Sequence, residues 1–311
     1  MTSLVALVSG FGWHVSDLRR AAERIGVSLH AVPFPRVSAL VGMDREVPEA
    51  TPTPRGLAGG PPHVSAAGHD LTAADGVLVR MMPPGSLEQV VFRMDALHRI
   101  AALGIPVLNP PRAVEAAVDK YLTLSLLEAA GIPVPPTWAG ESATEALAAF
   151  DVLGGDVVVK PLFGSEGRGL VRISDKELAW RTFHALERLS AVLYLQRMVR
   201  HPGHDIRVFV LRGSVLGVMR RHATPGEWRT NVSLGGRAEP SRLDSESERL
   251  ALAAARAIGA EMAGVDLIAD LDRGRLVVLE VNAVPGWRAL ARVTGIDVAA
   301  AILTALKDGG R

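Results

Sequence analysis

The N-terminal third of the chain alternates short apolar runs with amphipathic stretches. LVALV at residues 4–8 predicts a buried strand, the pattern from Ser16 to Ile25 predicts a helix that ends at Gly26, and SLHAVPF predicts a second strand. DGVLVRMM, VVFRMDALHRIAALG and IPVLNPP continue the alternation as strand, helix and strand. Because such alternation is typical of parallel sheets, the pattern predicts an α/β domain over residues 1–112.

Near the C-terminus, polar residues interrupt an apolar strand. In VVLEVNAVPGW, Glu280 and Asn282 are two residues apart, so their side chains leave the same face of a strand. The preceding strand, AGVDLIAD, is joined to this one by LDRGR, in which a glycine ends an Asp-Arg-Gly turn and favours a hairpin. With Arg273 at its centre, the hairpin places Asp266 opposite Glu280.

These opposed carboxylates predict a cation site. Like charges that face each other across two strands repel, and a divalent cation removes the repulsion. The ligands would be oxygen atoms of Asp266, Glu280 and Asn282, which suit Mg²⁺. The alternative is that Asp266 is a solvated edge residue, Glu280 pairs with an arginine and Asn282 caps the following turn.

A second candidate site follows an apolar strand in VVVKPLFGSEGRGL. Lys160 ends the strand, and Gly164, Gly167 and Gly169 follow it. Glycines let backbone N–H groups approach phosphate oxygens, and a lysine can reach the same anion, although the spacing is not that of a P-loop. A plain hairpin loop with one lysine fits this stretch equally well. Lys120, within a predicted helix, gives a weaker signal because a lone helical lysine is usually solvated.

A third group of polar residues is rich in arginine. Asp205 and Arg207 share one face of the strand DIRVFVL, and further candidates follow in the sequence: Arg220, Arg221, Arg229 and Asn231. Such a strand, with the adjoining RTN loop, is suited to holding anionic substrate groups or the charge of a transferred phosphoryl group. The alternative is a charged edge strand beside a solvated loop.

Composition narrows the functional classes. The 311 residues carry 34 basic and 33 acidic side chains, so net charge indicates neither a nucleic-acid nor an anionic membrane partner. The absence of cysteine excludes disulfides, thiolate metal ligands and a cysteine nucleophile, and a cytoplasmic location is expected. No apolar run approaches the roughly 18 to 20 residues of a membrane helix.

Taken in order, the motifs resemble those of ATP-grasp ligases. They are DKYLTLSLLEAAGIPVP, VVVKPLFGSEGRGL, DIRVFVL, RTNVSLGG, AGVDLIAD and LEVNAVPGW. The set is most similar to the RimK-like carboxylate–amine ligases, which include glutamate ligases, and MPPGSLEQVVFRMDALHR resembles the tetrahydromethanopterin-associated members. The resemblance implies an α/β (α+β) ATP-grasp fold: a pre-ATP-grasp domain over residues 1–112, a central subdomain over 113–190 and a C-terminal subdomain over 191–311.

The family's functional residues carry over by position. Nucleotide contacts are implied for Lys120, Lys160, Gly164, Gly167, Gln196, Arg197, Met198, Asp205, Arg229, Thr230 and Asn231. Roles at the reacting groups are implied for Arg207, Arg220, Arg229 and Asn231, and Mg²⁺ or Mn²⁺ ligation for Asp266, Glu280 and Asn282. One departure is that Arg197 and Met198 follow Gln196, where relatives typically have an acidic residue and then an aromatic or aliphatic one.

The implied reaction is phosphorylation of a carboxylate by ATP, followed by attack of an amine on the acyl phosphate. The preferred substrates are a small-molecule carboxylate and amine, with glutamate or a similar amino acid being added, and the protein is expected to form homo-oligomers. Two alternatives are a glutamate ligase that modifies a protein terminus, as in the ribosomal-protein type, and a non-catalytic regulator that only binds nucleotide.

Overall fold

The structure is a computed structural model that describes residues 1–42, 64–164, 169–230 and 235–309. Contacts between residues divide the chain into two compact units. The first consists of Met1–Glu115, Ala260–Met262 and Val284–Arg311, and the second of Ala116–Gly259 and Ala263–Ala283. Neither unit is a continuous stretch of the chain. Residues 284–311 group with the N-terminal unit, whereas the sequence placed them in the C-terminal subdomain 191–311.

The secondary structure of the described residues is as follows. The strands are β1 (Ser3–Val8), β2 (Ser28–Pro33), β3 (Val37–Ala39), β4 (Val64–Ala66), β5 (His69–Asp70), β6 (Gly76–Val79), β7 (Val107–Leu108), β8 (Thr137–Gly140), β9 (Val157–Lys160), β10 (Val171–Ile173), β11 (Leu193–Arg197), β12 (His204–Leu211), β13 (Ser214–His222), β14 (Arg237–Pro240), β15 (Met262–Asp270) and β16 (Arg275–Asn282). The helices are α1 (Trp13–Ile25), α2 (Leu87–Ala102), α3 (Pro111–Val118), α4 (Lys120–Ala129), α5 (Ala143–Val152), α6 (Lys176–Arg188), α7 (Ser245–Ala257), α8 (Arg288–Thr294) and α9 (Val298–Asp308), and single 3₁₀ turns span Phe34–Arg36 and Leu71–Ala73.

The first unit contains a parallel sheet in the order β2-β1-β6-β7, as the alternating pattern predicts. The central strands β1 and β6 are buried on both faces, which explains why LVALV and GVLV are continuously apolar. The C-terminal helix α9 covers part of this sheet, and a Cβ atom at Gly76 would lie 2.9 Å from the Leu306 side chain. The close packing of α9 on β6 accounts for the grouping of the C-terminal residues with this unit.

The second unit contains two antiparallel sheets, in the orders β10-β9-β11-β8 and β14-β13-β12-β15-β16. Strand β11 lies between β8 and β9, so the four-stranded sheet includes residues beyond the predicted subdomain limit at 190. Phe150, Val157, Phe183 and Leu195 belong to the core that packs α5 and α6 against this sheet. The buried side chains of Leu193 and Leu195 complete that core, and this explains why β11 belongs there.

In the five-stranded sheet, each of two hairpins contains an irregularity of one residue. Between β15 and β16 the closing pair is Asp270–Arg275, so the loop has four residues where the sequence predicted three. A bulge at Leu279 then shifts the register back and places Asp266 opposite Glu280, as predicted. Between β12 and β13 a bulge at Leu216 places Arg221, and not Arg220, opposite Asp205.

Within the ranges that the structure describes, no single helix is long and apolar enough to cross a membrane. Only α8 and α9 taken together, bent by 113° at their junction, meet the criteria of length and composition. Val298, Ile302 and Leu306 on α9 are completely buried in the first unit, as in the core helix of a globular domain.

Candidate functional site

Both sheets of the second unit contribute residues to one cleft. Its walls are formed by β9 and β11 on one side, by β12, β13, β15 and β16 on the other, and by the segment before residue 231. The lining residues are Lys120, Val158, Lys160, Gly164, Leu170, Gln196, Arg197, Met198, Val199, His201, Asp205, Arg221, Trp228, Arg229, Thr230, Asp266, Ile268, Leu279 and Glu280.

The predicted carboxylate pair lies at this cleft. Asp266 and Glu280 are opposite each other in the β15–β16 ladder, and Asp266 is 3% exposed. The Glu280 carboxylate forms no hydrogen bond or ion pair with the residues that the structure describes, although it lines the cleft. Asn282 pairs with Gly264 on the same ladder but does not line the cleft. The hairpin thus presents two carboxylates of which one lacks a partner among the described residues.

A charged cluster surrounds Asp266. The Arg207 guanidinium binds both carboxylate oxygens of Asp266, with its Nη2 at 2.8 Å from Oδ2, and Arg221 Nη2 lies 2.9 Å from the same oxygen. Burial opposes ionisation of Asp266, but the charges and hydrogen bonds of the two arginines together hold the pKa of its carboxyl below the usual value. Asp266 is therefore a carboxylate at neutral pH in spite of its burial.

Arg221 also binds Asp205, so the cluster extends to a second buried carboxylate. Arg221 Nε and Nη2 donate to Asp205 Oδ1 and Oδ2 at 2.7 and 2.5 Å, and the hydroxyl of Thr230 donates to Oδ2 at 2.5 Å. Asp205 and Arg221 are 2% and 5% exposed. All the charges of this cluster are compensated within it.

The opposite wall of the cleft carries the two predicted lysines. Lys160 Nζ donates to Gln196 Oε1 at 2.6 Å, and Gln196 in turn donates to Thr137. Burial lowers the pKa of Lys160 to about 8, and the nearby charge of Glu280 counteracts part of that effect. Lys120 Nζ donates to the carbonyl oxygens of Leu162 and Gly164 at 3.3 and 2.8 Å, and burial lowers its pKa as well. Desolvated ammonium groups with neutral partners are suited to binding phosphate oxygens.

The segment before residue 231 places an arginine at the cleft. Glu227 Oε1 accepts hydrogen bonds from the backbone N–H groups of Trp228 and Arg229 and from Arg229 Nε, each at 3.0 Å. Glu227 Oε2 accepts from Arg229 Nη2 at 2.6 Å. The hydrogen bonds from Arg229 hold the pKa of Glu227 down at about 2. Arg229 is thus held from one side by a carboxylate.

Arg197, which departs from the family pattern, is accommodated by the hairpin turn. Its guanidinium binds Asp270, a 1% exposed residue, and lies 3.6 Å from a carboxylate oxygen of Asp272. The backbone N–H of Met198 donates to Asp156 O at 2.9 Å. The positive charge introduced at this position is therefore neutralised locally, while Arg197 and Met198 still line the cleft.

Most of the predicted residues that are described converge here, with three exceptions. Arg220 is on the face of β13 opposite to Arg221, with a guanidinium nitrogen 3.9 Å from Glu239, so the structure does not bring it to the cluster. Arg207 binds Asp266 but does not itself line the cleft, and neither does Asn282. Gly167 and Asn231 lie outside the described residues, and the roles predicted for all these residues stay predictions.

The sequence singled out neither Glu227 nor Asp270, and it named Arg221 only as one candidate among the arginines, without a role of its own. Arg221 lacked a role because nothing in the sequence revealed the bulge at Leu216. Glu227 and Asp270 provide the carboxylates that hold Arg229 and Arg197. The spacing of Glu227 and Arg229, two residues apart, was the only available signal for either pair.

The donor set fits one or more cations that are shared with phosphate groups. Among the described residues no group of three or more His, Asp or Glu side chains converges, so these residues by themselves do not form a closed metal cage. Asp266 and Glu280 provide oxygen ligands, Glu280 without a described partner, and Lys160 faces the same cleft. This arrangement is typical of Mg²⁺ sites that complete their coordination with water and substrate phosphates.

The fold and the cleft define an ATP-grasp ligase. The family model for the RimK-like ATP-grasp domain matches residues 117–306, and the chain belongs to this family. A tetrahydromethanopterin:alpha-L-glutamate ligase from Methanosarcina acetivorans is 35% identical over 264 residues, which are 76% of this chain and 81% of the relative. The corresponding enzyme from Methanocaldococcus jannaschii is 39% identical over 220 residues, 68% and 73% of the two chains.

Solved structures show the same fold. The ATP-grasp ligase PsnB, complexed with a minimal precursor, has a TM-score of 0.74 at 20% identity and is covered to 99%, as is this chain. A RimK domain ATP-grasp protein from Sphaerobacter thermophilus has a TM-score of 0.69 at 20% identity over 99% of both chains.

Proposed function

We propose that this ligase forms an amide bond between a carboxylate of a small molecule and the amino group of glutamate or a similar amino acid, with ATP as the phosphoryl donor. The observation that carries the proposal is that Lys160 lines the same cleft as Asp266 and Glu280. The cleft therefore combines a cation suited to phosphate with carboxylates suited to a divalent metal ion. The M. acetivorans and M. jannaschii relatives, named for glutamate transfer to tetrahydromethanopterin, support a pterin-type acceptor.

The residues divide the work of the reaction. Lys160 and Lys120 bind phosphate oxygens as point charges, which orients the γ-phosphoryl group. Asp266 and Glu280, with Asn282 as a further candidate, would hold Mg²⁺, which neutralises phosphate charge when it is bound. Arg229, held by Glu227, provides a fixed guanidinium for the negative charge that develops during transfer.

No protein nucleophile is needed in this scheme, since the substrate carboxylate attacks the γ-phosphorus of ATP and displaces ADP, and the amine then attacks the acyl carbon, loses a proton and displaces phosphate. Because water would hydrolyse that acyl phosphate, the apolar side chains of Ile268, Leu279 and Trp228 in the cleft wall are expected to restrict its access. We place the reaction in the cytoplasm, where ATP is available, and we propose that the protein forms a homo-oligomer.

The test is release of ADP and phosphate from MgATP by the purified protein, with amino acids as amines and with pterin, small-acid and peptide carboxylates. We expect release that depends on one acid and one amine together. Glu280→Gln should abolish it, whereas Glu177→Gln, which removes an exposed carboxylate paired with Arg181 on α6, should not. Release that requires only a protein terminus would replace the small-molecule acceptor with a peptide. Nucleotide binding without release for any pair would contradict the proposal.

A further inference from the structure

The buried charged cluster at the cleft wall forms one continuous chain of hydrogen bonds. It runs from Arg207 through Asp266, Arg221 and Asp205 to Thr230. Every neighbouring pair is within 2.9 Å, and the two aspartates and Arg221 are almost completely buried. The two arginines balance the charges of the two aspartates. The cluster is therefore a neutral, fixed unit that includes one of the proposed cation ligands.

The hydrogen bonds to Asp266 leave it little freedom. An ionised carboxylate has about four lone-pair positions on its two oxygens. Among the described residues, Arg207 and Arg221 both donate to Oδ2, and Arg207 donates to Oδ1. The position that stays open is on Oδ1. A cation would therefore meet a single oxygen of Asp266, in an orientation that the arginines determine.

The orientation of Arg221 itself depends on Asp205. The two form a bidentate pair, in which Nε and Nη2 donate to different carboxylate oxygens. Such a pair fixes the plane of the guanidinium, which a lysine in the same position cannot reproduce. Nη2, held in this plane, is the atom that also reaches Asp266 Oδ2 at 2.9 Å. Asp205 thus acts on Asp266 through Arg221, which provides two of the three hydrogen bonds that the Asp205 carboxylate accepts from described residues.

We propose that Arg221 and Asp205 are positioning residues for the cation site: the bidentate pair holds Asp266 so that Oδ1 faces the cation. This inference rests on the proposed function, since it requires a divalent cation at Asp266 and Glu280. The inference predicts the direction in which cation affinity changes when Arg221 is altered. If Arg221 only competed with the cation for Asp266, loosening it would strengthen cation binding, whereas a positioning role requires weaker binding.

The test is the dissociation constant of Mn²⁺, measured by electron paramagnetic resonance in the presence of a non-hydrolysable ATP analogue. Arg221→Lys retains the charge and loses the bidentate geometry, and we expect Mn²⁺ binding to weaken on the order of 10- to 100-fold. Asp205→Asn should give a similar loss. The double variant should bind no more weakly than either single variant, because Asp205 acts through Arg221.

The matched control is Arg172→Lys, which breaks another bidentate arginine pair, with Asp156 at 2.9 and 2.6 Å, outside the cluster. It should leave Mn²⁺ binding within about twofold of wild type, well below the effect that loss of an outer partner of a metal ligand produces. Thermal unfolding of the metal-free proteins identifies any variant that fails to fold. Binding by Arg221→Lys that equals or exceeds wild type would overturn the inference, as would additive losses in the double variant. Failure of the wild type to bind Mn²⁺ would instead contradict the proposed cation site, and the inference with it.

Discussion

The hairpins β12–β13 and β15–β16 are neighbours in one sheet, and each carries acidic residues to the cleft. In β12–β13 the carboxylate of Asp205 is neutralised within its own hairpin, since Arg221 donates two hydrogen bonds to it and Thr230 adds a third. In β15–β16 Asp266 obtains its partners from the other hairpin, and Glu280 has no hydrogen-bond or ion-pair partner among the described residues. The first hairpin thus neutralises its carboxylate internally, whereas the second carries one carboxylate, Glu280, that has no hydrogen-bond or ion-pair partner among the described residues.

This difference between the hairpins indicates which residues stabilise the fold and which are available to bind a cation. Charges that are compensated within the protein contribute a fixed geometry, and their removal leaves a buried partner unpaired. A carboxylate that lacks a protein partner beside another carboxylate contributes little to folding, and it is available for a ligand. Stability should therefore depend on Asp266, Asp205 and Arg221, whereas the cation itself should bind to Asp266 and Glu280, with Arg221 and Asp205 acting on it only through Asp266.

Neutralising each carboxylate of β15–β16 tests this division with the largest expected effect. Asp266→Asn leaves two buried arginines without their shared partner, so we expect the free energy of unfolding to fall by about 3 to 5 kcal/mol. Glu280→Gln removes a repulsion from Asp266 and an attraction to Lys160, which act in opposite directions, so its change should stay within about 1 kcal/mol. Urea denaturation of both variants without divalent cations provides the measurement. Equal losses would contradict the comparison.

Sequence reasoning succeeded for the strand types and for the pairing of Asp266 with Glu280. It did so although the predicted turn was wrong by one residue, because the bulge at Leu279 compensated for the longer loop. In the other hairpin the bulge at Leu216 is not compensated, so Arg221 reaches Asp205 and Arg220 does not. A shift of one residue moves every side chain beyond it to the other face of the sheet. Both bulges occur at leucines, a residue type that does not predict a bulge.

Side-chain contacts between different secondary-structure elements could not be predicted from the sequence either. Arg197 was identified as a departure from the family, but Asp270, which neutralises it, is 73 residues away and its position follows only from the tertiary fold. Lys160 was predicted from its strand end and the following glycines, whereas its contact with Gln196 requires the pairing of β9 with β11. Local pattern therefore identified the residue types of the site, and tertiary packing determined which of them meet.

Replacing Arg220 and Arg221 by methionine, one at a time, compares the two faces of strand β13. Arg221→Met leaves Asp205 buried without its bidentate partner, and we expect a loss in unfolding free energy of about 3 kcal/mol. Arg220 is partly exposed and near Glu239, so Arg220→Met should cost less than about 1 kcal/mol. Guanidinium chloride denaturation of the two variants measures both. A larger loss for Arg220→Met would show that the register of β13 differs from the one described.

The pH dependence of nucleotide binding tests whether the charge of Glu280 acts on Lys160, which lies on the opposite wall of the cleft. Burial lowers the pKa of Lys160 to about 8, and Glu280 opposes this. ADP affinity in the absence of divalent cations should be highest below that pKa and fall as the pH rises above it, by up to about tenfold per unit, because the lysine loses its charge. Glu280→Gln should move the decline to lower pH, since the protonated amine loses a favourable charge. Isothermal titration calorimetry between pH 7 and 9.5 measures the ADP affinity of wild type and variant. If the pH midpoint of the decline is unchanged in Glu280→Gln, the charge of Glu280 does not influence the pKa of Lys160.

The smallest effect concerns the turns of the two hairpins. Gly213 and Gly274 have φ values of 72° and 59°, and a Cβ atom at either would contact nothing within 4 Å, so alanine should cost only the backbone strain of the left-handed region, about 1 kcal/mol. If the bulges and the rest of the sheet hold the register, Gly274→Ala should leave the Mn²⁺ dissociation constant unchanged while it lowers stability by that amount. If the turn itself sets the register, Gly274→Ala would displace Glu280 from Asp266 and weaken Mn²⁺ binding, whereas Gly213→Ala, in the hairpin without Glu280, would affect binding only through Arg221. Thermal unfolding and Mn²⁺ titration of the two variants side by side therefore decide whether the bulge or the turn places Glu280 opposite Asp266.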